Sequence, residues 1–125
     1  MGETMMNLVY TIESGILAAR DKDTRALLWK SDFGGTKVYK ILPLEHEEGC
    51  IVLLDPGSSK QQTFENLLLV SSSGDVRWKA QLPRTNDAFA DVLESGQKIE
   101  ARTWTGIRVR VDITTGRTIE IGFSK

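Results

Sequence analysis

The chain has 125 residues, 40% hydrophobic and 26% charged, with one cysteine. That length supports a single domain with a sizeable core and leaves no room for two. Sixteen Lys and Arg against seventeen Asp and Glu give a net charge of −1, so no global basic field points to nucleic acid or an anionic membrane. A lone Cys excludes a disulfide framework and a cysteine-built zinc site. No apolar run approaches the roughly 20 residues a membrane helix needs. Residues 1–7 lack the basic-then-apolar pattern of a secretory signal, so a cytoplasmic location is expected.

Taken in chain order, short runs rich in Val, Ile, Leu and Trp predict strands over 7–12, 16–21 and 26–31. Further strands are predicted over 36–42, 49–54, 65–71 and 75–80, then over 87–94, 97–103, 107–113 and 117–123. No stretch sustains a helical period over ten residues. Between the runs stand triplets ending in Gly: Glu13-Ser14-Gly15, Ser72-Ser73-Gly74, Trp104-Thr105-Gly106 and Thr114-Thr115-Gly116. Three-residue hairpin loops commonly end on a residue in the left-handed region, which Gly enters without steric cost. The expected fold class is all-β, an antiparallel meander. Residues 55–63, where Pro, Gly, Ser, Lys and Gln cluster, and the acidic 45–49 are the expected longer loops. Asp32-Phe33-Gly34-Gly35-Thr36 matches no phosphate-binding loop, because no helix follows it, and reads as a connection between units.

The last four strands permit a register argument. A loop at Trp104-Thr105-Gly106 sets Ala101 opposite Val109 and Ile99 opposite Val111. A loop at Thr114-Thr115-Gly116 sets Val109 opposite Ile121 and Val111 opposite Ile119. A two-residue loop at Ser95-Gly96 adds Val92 opposite Ile99 and Ala90 opposite Ala101. One face of this sheet is then apolar throughout, and a one-residue slip would destroy the agreement. On the other face Arg110 falls between Glu100 and Glu120 as complementary cross-strand pairs. Ile51 to Leu54 and Leu67 to Val70 are apolar on both faces. That marks a sheet covered on both sides, with the 87–123 sheet stacked outside it.

Ala19-x-Asp21-x-x-Thr24-x-x-x-x-Trp29 is echoed by Asp112-x-x-Thr115-Gly116 and by Gly74 followed by Trp78. Spacings of about 40–50 residues with four strands per unit suggest propeller-like blades. In these positions the chain resembles the repeat of quinoprotein-like (PQQ-like) β-propellers, Ala-x-Asp-x-x-Thr-Gly-x-x-x-Trp. The first copy has Arg25 where that repeat has Gly, and the last has Glu120 where it has Trp. The resemblance implies four-stranded blades whose Asp and Thr bond turn amides and whose Trp packs on the next blade. Quinone binding in that family draws residues from a full ring, and no such set carries over, so no cofactor is expected. The C-terminal pattern, Trp104-x-Gly106 through Asp112-x-x-Thr115-Gly116 to Phe123-x-Lys125, also resembles small stand-alone bacterial proteins, and no activity comes with that likeness. Units at 7–31, 36–80 and 87–123 are too few for a closed propeller. They fit an open stack, a sandwich-like derivative, or half a ring completed by a second copy.

Candidate chemistry is sparse. His46, the one histidine, lies in Glu45-His46-Glu47-Glu48, whose adjacent side chains diverge and read as a solvated loop rather than a metal site. Cys50 opens a buried strand, with no second Cys or basic cluster to activate it. No nucleophile signature accompanies His46. Asp87 and Asp91 alternate with Phe89 and read as partners of Arg102 and neighbouring charges. Trp29 and Trp78 read as core pegs and Trp104 as an exposed contact. The favoured function is a non-enzymatic protein-interaction module, of bacterial accessory or immunity type. Its candidate surface is Trp104, Arg102, Arg108, Arg110, Asp87, Glu100 and Glu120. The alternative is a small-molecule-binding protein or enzyme with a pocket at the sheet ends. A protein partner and a homodimer are expected, with no nucleic acid, membrane, metal or cofactor. The dimer contact is expected at the first sheet, where Leu8, Tyr10 and Ile12 alternate with Val9 and Thr11 and few charges intervene.

Overall fold

The structure, a computed structural model, describes residues 8–44, 49–58, 65–96 and 98–123. His46 and its acidic neighbours lie outside the described residues, as does most of the predicted 55–63 loop. Among the described residues the chain is all-β apart from one 3₁₀ turn at Pro56–Ser58. The first sheet holds β1 (Leu8–Glu13), β2 (Ile16–Asp21) and β3 (Leu27–Ser31). The second holds β4 (Val38–Leu44), β5 (Gly49–Leu54), β6 (Leu67–Ser71) and β7 (Val76–Lys79). The third holds β8 (Phe89–Ser95), β9 (Lys98–Thr103), β10 (Ile107–Val111) and β11 (Thr118–Phe123). Each sheet is an antiparallel meander in sequence order, and none closes into a barrel.

The double-sided apolar pattern of β5 and β6 puts the second sheet in the middle. Ile51, Leu53 and Leu67 pack with Phe89, Val92, Ile99, Ala101 and Val109 of the third sheet. Cys50, Val52, Leu54, Leu68 and Val70 pack with Leu17 and with half-buried Tyr10 and Trp29 of the first. Between sheets the close approaches run along the leading strands, β1 to β4 and β4 and β5 to β8. Asn66, fully buried, ties the second sheet to the third. Its Nδ2 donates to Leu54 O and Phe89 O, each at 2.8 Å, and its Oδ1 accepts from Phe89 N at 2.8 Å.

The register argument holds for β9 and β10, where Val109 faces Ala101 and Val111 faces Ile99. Elsewhere bulges correct it. Ser95 pairs with Lys98, so the β8–β9 loop begins one residue later than expected and Val92 faces Ala101, not Ile99. A bulge between Phe89 and Asp91 then carries Phe89, not Ala90, into the core, where it is fully buried. The β10–β11 loop is four residues, not three, because Asp112 pairs with Arg117 across it: Asp112 N donates to Arg117 O at 2.8 Å. Val111 therefore faces Thr118 and Val109 faces Glu120, until an irregularity at Ile121 restores Ile107 opposite Phe123. In consequence β11 lacks a buried apolar face, and Ile119 and Phe123 are 66% and 64% exposed. The first hairpin loop is shorter than expected. Glu13 pairs with Ile16 across Ser14 and Gly15, whose φ values of 54° and 78° fit a two-residue turn with both centres left-handed.

The first sheet also carries more charge than its first strand suggests. Arg20 grips Glu13 with two bonds, Nε to Oε2 at 2.7 Å and Nη2 to Oε1 at 2.9 Å, and Thr11 Oγ1 donates to the same carboxylate at 2.7 Å. Arg20, then Thr11, hold the Glu13 carboxyl down at about 2, from an ordinary 4.5. A carboxyl whose pKa is depressed by folding stabilises the native state above its unfolded pKa, and that contribution is lost as the pH falls through the folded value. The urea midpoint should therefore decline between pH 4.5 and about 2, and the gap between the parent and Glu13→Gln should close over that interval. A gap independent of pH would mean that the pair does not form in solution.

Candidate functional site

Four of the seven candidate surface residues share one face. On the third sheet, Asp91 and Leu93 of β8, Glu100 and Arg102 of β9, Arg108 and Arg110 of β10 and Ile119 of β11 alternate with the core residues and point outward. Directly opposed pairs fix this: Asp91 faces Arg102, Leu93 faces Glu100, Arg110 faces Glu100 and Ile119. Leu93 and Ile119 are 46% and 66% exposed amid these charges. A concavity of about 220 Å³ opens on the face, lined by Asp91, Leu93, Glu100, Ala101, Arg102 and Arg108.

The charges do not cancel as the sequence suggests. Asp91 is held from the second sheet: Lys40 Nζ lies 2.8 Å from its Oδ1 and also donates to Val92 O at 2.7 Å. The Lys40 bond, more than any other contact, lowers the Asp91 carboxyl below its usual range. Glu100 accepts from Arg108 Nη2 at 3.2 Å. Glu120, expected beside Arg110, sits opposite Val109 and bonds Arg84 Nη1 at 2.6 Å in the connection between the second and third sheets. Its departure leaves Arg102, Arg108 and Arg110 around Glu100, which is bonded to Arg108 and faces Arg110 in the pairing. The Nε of Arg110 is buried and has no hydrogen-bond partner among the described residues. In a chain of net charge −1 this face is locally positive.

Trp104 lies in the β9–β10 hairpin loop at the end of the same sheet, and Asp87, just before β8, bonds to that loop. Trp104 is 68% exposed, and its N donates to Ala88 O at 3.0 Å. Asp87 does not reach Arg102 as expected. It is buried, its Oδ1 accepting from Ala88 N at 2.9 Å and its Oδ2 from Thr105 Oγ1 at 2.7 Å. The Thr103 hydroxyl accepts from Ile107 N at 3.1 Å and lies 3.2 Å from Thr105 Oγ1. Asp87 is thus a prop that fixes the hairpin presenting Trp104. Cys50 is buried and its thiol is pushed up to about 12 by desolvation, far from thiolate chemistry. Among the described residues no three His, Cys, Asp or Glu gather as metal ligands, and no helix is long and apolar enough to cross a membrane.

Trp29 and Trp78 each reach the sheet that follows their own. Trp29 Nε1 donates to Ser72 O at 2.8 Å, and Trp78 Nε1 donates to Ile113 O at 2.8 Å. Each indole thus lies on the β-turn of the following sheet, over Gly74 and Gly116 respectively. Asp21 and Asp112 organise like turns, accepting from Asp23 N and Thr24 N and from Thr114 N.

A family model described as Domain of unknown function (DUF7957) matches residues 36–123. The chain belongs to the DUF7957 family. The DUF7957 match contains every strand of the second and third sheets, and with them the outward face of the third, while the first sheet precedes it. No curated protein matches the chain. Its fold is similar to the crystal structure of the computationally designed Ika4 protein, with a TM-score of 0.69 and 15% identity over 98% of this chain and 70% of that one. It is also similar to the computationally designed Ika8 protein, with a TM-score of 0.66 and 16% identity over 98% of this chain. The chain spans 36% of the length of Ika8. At these identities the likeness concerns the fold alone.

Proposed function

We propose that this DUF7957 chain is a non-enzymatic protein-interaction module that docks an acidic partner on the outward face of its third sheet. The observation that carries the reading is the charge left there: Arg102, Arg108 and Arg110 around Glu100, with Leu93 and Ile119 exposed among them. Apolar contact supplies affinity and the arginines supply orientation and rate. Exposed Trp104 extends the surface at its hairpin end, in keeping with the weight of Trp and Arg at interfaces. In this reading the three sheets are propeller-like blades of the quinoprotein-like type. Supporting it are their meander topology, the adjacency of β1, β4 and β8, and the Trp29 and Trp78 contacts. Two copies pair along β1, the edge of a sheet with three described strands where the others have four.

Selection from a random displayed peptide library tests the docking face. The expected winners place Asp or Glu beside apolar residues and lose at least tenfold in affinity on the double variant Arg102→Glu, Arg108→Glu. Winners without acidic enrichment, or binding the variant equally, would overturn the reading. The concavity beside Arg102 and Arg108 favours a second reading, a small anionic ligand. That reading expects carboxylate metabolites to raise the melting temperature of the parent but not of the variant.

A further inference from the structure

The contact that joins one sheet to the next is a peg and a socket. The peg is a Trp four residues after the positive-φ residue of its own turn: Trp29 after Arg25, Trp78 after Gly74. The socket is the next sheet's turn, which offers the carbonyl of its first loop residue and a glycine under the ring. Ser72 O and Gly74 form the first socket, Ile113 O and Gly116 the second. Space adds to φ at both glycines, tightly at Gly74 and as an outright clash at Gly116. A Cβ on Gly74 would stand 3.3 Å from Trp29 Cδ2, and one on Gly116 would stand 2.7 Å from Trp78 Cδ2.

Both ends of the stack depart from this scheme. The first sheet's turn has the same build as the third's: Asp21 N donates to Ala26 O as Asp112 N does to Arg117 O, and Arg25 N to Asp21 O as Gly116 N does to Asp112 O. At the glycine position it carries Arg25, at φ 66°, whose Cβ occupies the space an incoming indole would need. Arg25 is also tied down, its carbonyl accepting from Arg20 Nη1 at 2.8 Å. At the other end the peg position is Glu120, four residues after Gly116. In β3 and β7 the residue before the Trp, Leu28 or Arg77, is left out of the pairing. In β11 the unpaired residue is Ile121, after Glu120, so Glu120 turns toward the second sheet's side, where Arg84 holds it. Residue and register have both moved away from a peg.

We propose that Arg25 and Glu120 are end caps that close the peg-and-socket joint at both ends of the stack, so that copies of this chain do not join head to tail into a ring or filament. A heterologous joint of this kind would otherwise propagate until it closed. The twofold pairing along β1 uses a different edge and is left open by the caps. The inference therefore stands independently of the docking face.

Two single-ended variants test it. Arg25→Gly opens the socket. The set R117D, T118V, I119R and E120W writes the sequence of Asp75–Trp78 into β11 and supplies a peg with its bulge. Sedimentation velocity of equimolar mixtures reads the outcome. The peg variant and the socket variant should form a complex that neither forms alone. Parent chain in place of the socket variant should bind the peg variant at least tenfold more weakly. Equal binding to the parent would show that Arg25 does not cap, and no complex from two folded variants would show that the joint is not what separates the ends. A head-to-tail cross-link in the parent, between cysteines introduced by Lys22→Cys and Glu120→Cys, would overturn the proposal outright.

Discussion

Gly116→Val should unfold this protein more readily than any other single change in its turns. Gly116 sits at φ 79°, where a β-branched residue is strained, and a Cβ there would stand 2.7 Å from two ring carbons of Trp78. The ring cannot retreat without giving up the 2.8 Å bond from its Nε1 to Ile113 O. Backbone strain and overpacking together should cost about 3 kcal/mol, which lowers the melting temperature by about 10 °C for a domain of this size. Gly106 makes the comparison. Its φ of 101° carries the same backbone penalty, and its N closes the hairpin on Thr103 O at 3.0 Å. Gly106→Val should cost about 1–2 kcal/mol. Equal melting of the two variants would show that Trp78 does not press on its socket. In a Trp78→Leu background Gly116→Ala should add little beyond the backbone strain at φ 79°, because the ring is the obstacle.

That ordering was half legible in the residues themselves. Alternating apolar runs closed by Gly triplets gave all-β and placed the eleven strands, because strand period and turn chemistry are local properties. The two-faced apolar runs of β5 and β6 likewise put the second sheet inside. Bulges carry no comparable local mark. Ala90 and Ile121 look like ordinary strand residues, and only contact with the rest of the fold decides that Phe89 goes inward and Ile121 drops out of the pairing. The candidate site suffered from the same blindness. The expected register, one residue out in β11, sets Glu120 beside Arg110 and makes the face look neutral; with Glu120 on Arg84, the arginines outnumber their acids. Arg25 was visible as a departure from the repeat. Its consequence was not, because only the indoles over Gly74 and Gly116 show what the missing glycine would have received.

The largest loss from a side chain that sequence reasoning passed over is expected at Asn66. It falls inside the strand expected over 65–71, where nothing marks it out, since a buried amide and a solvated one look alike in sequence. In the fold it is fully buried and spends three hydrogen bonds on two sheets: its Nδ2 serves Leu54 O and Phe89 O, and its Oδ1 receives Phe89 N. The bonds to Phe89 matter most, because the bulge after it takes β8 out of regular pairing at that point. Asn66→Ala leaves those backbone groups buried without these partners, and removing a partner from buried polar groups costs about 1–3 kcal/mol each at the outset. A total of about 3 kcal/mol is expected, with the chain still β-structured by circular dichroism. Asn66→Asp is the sharper test. It has the same shape and keeps an acceptor for Phe89 N, yet it replaces a donor with an oxygen facing two carbonyl oxygens, in a site that penalises charge. Asp should therefore be at least as damaging as Ala below neutral pH and more damaging above, as its carboxyl is driven to ionise. Urea unfolding with an unchanged m-value reads both. Should either variant stay within about 0.5 kcal/mol of the parent, the range of an ordinary surface change, the second and third sheets would be held together by their apolar faces alone, and the amide would be a passenger in the joint rather than its pin.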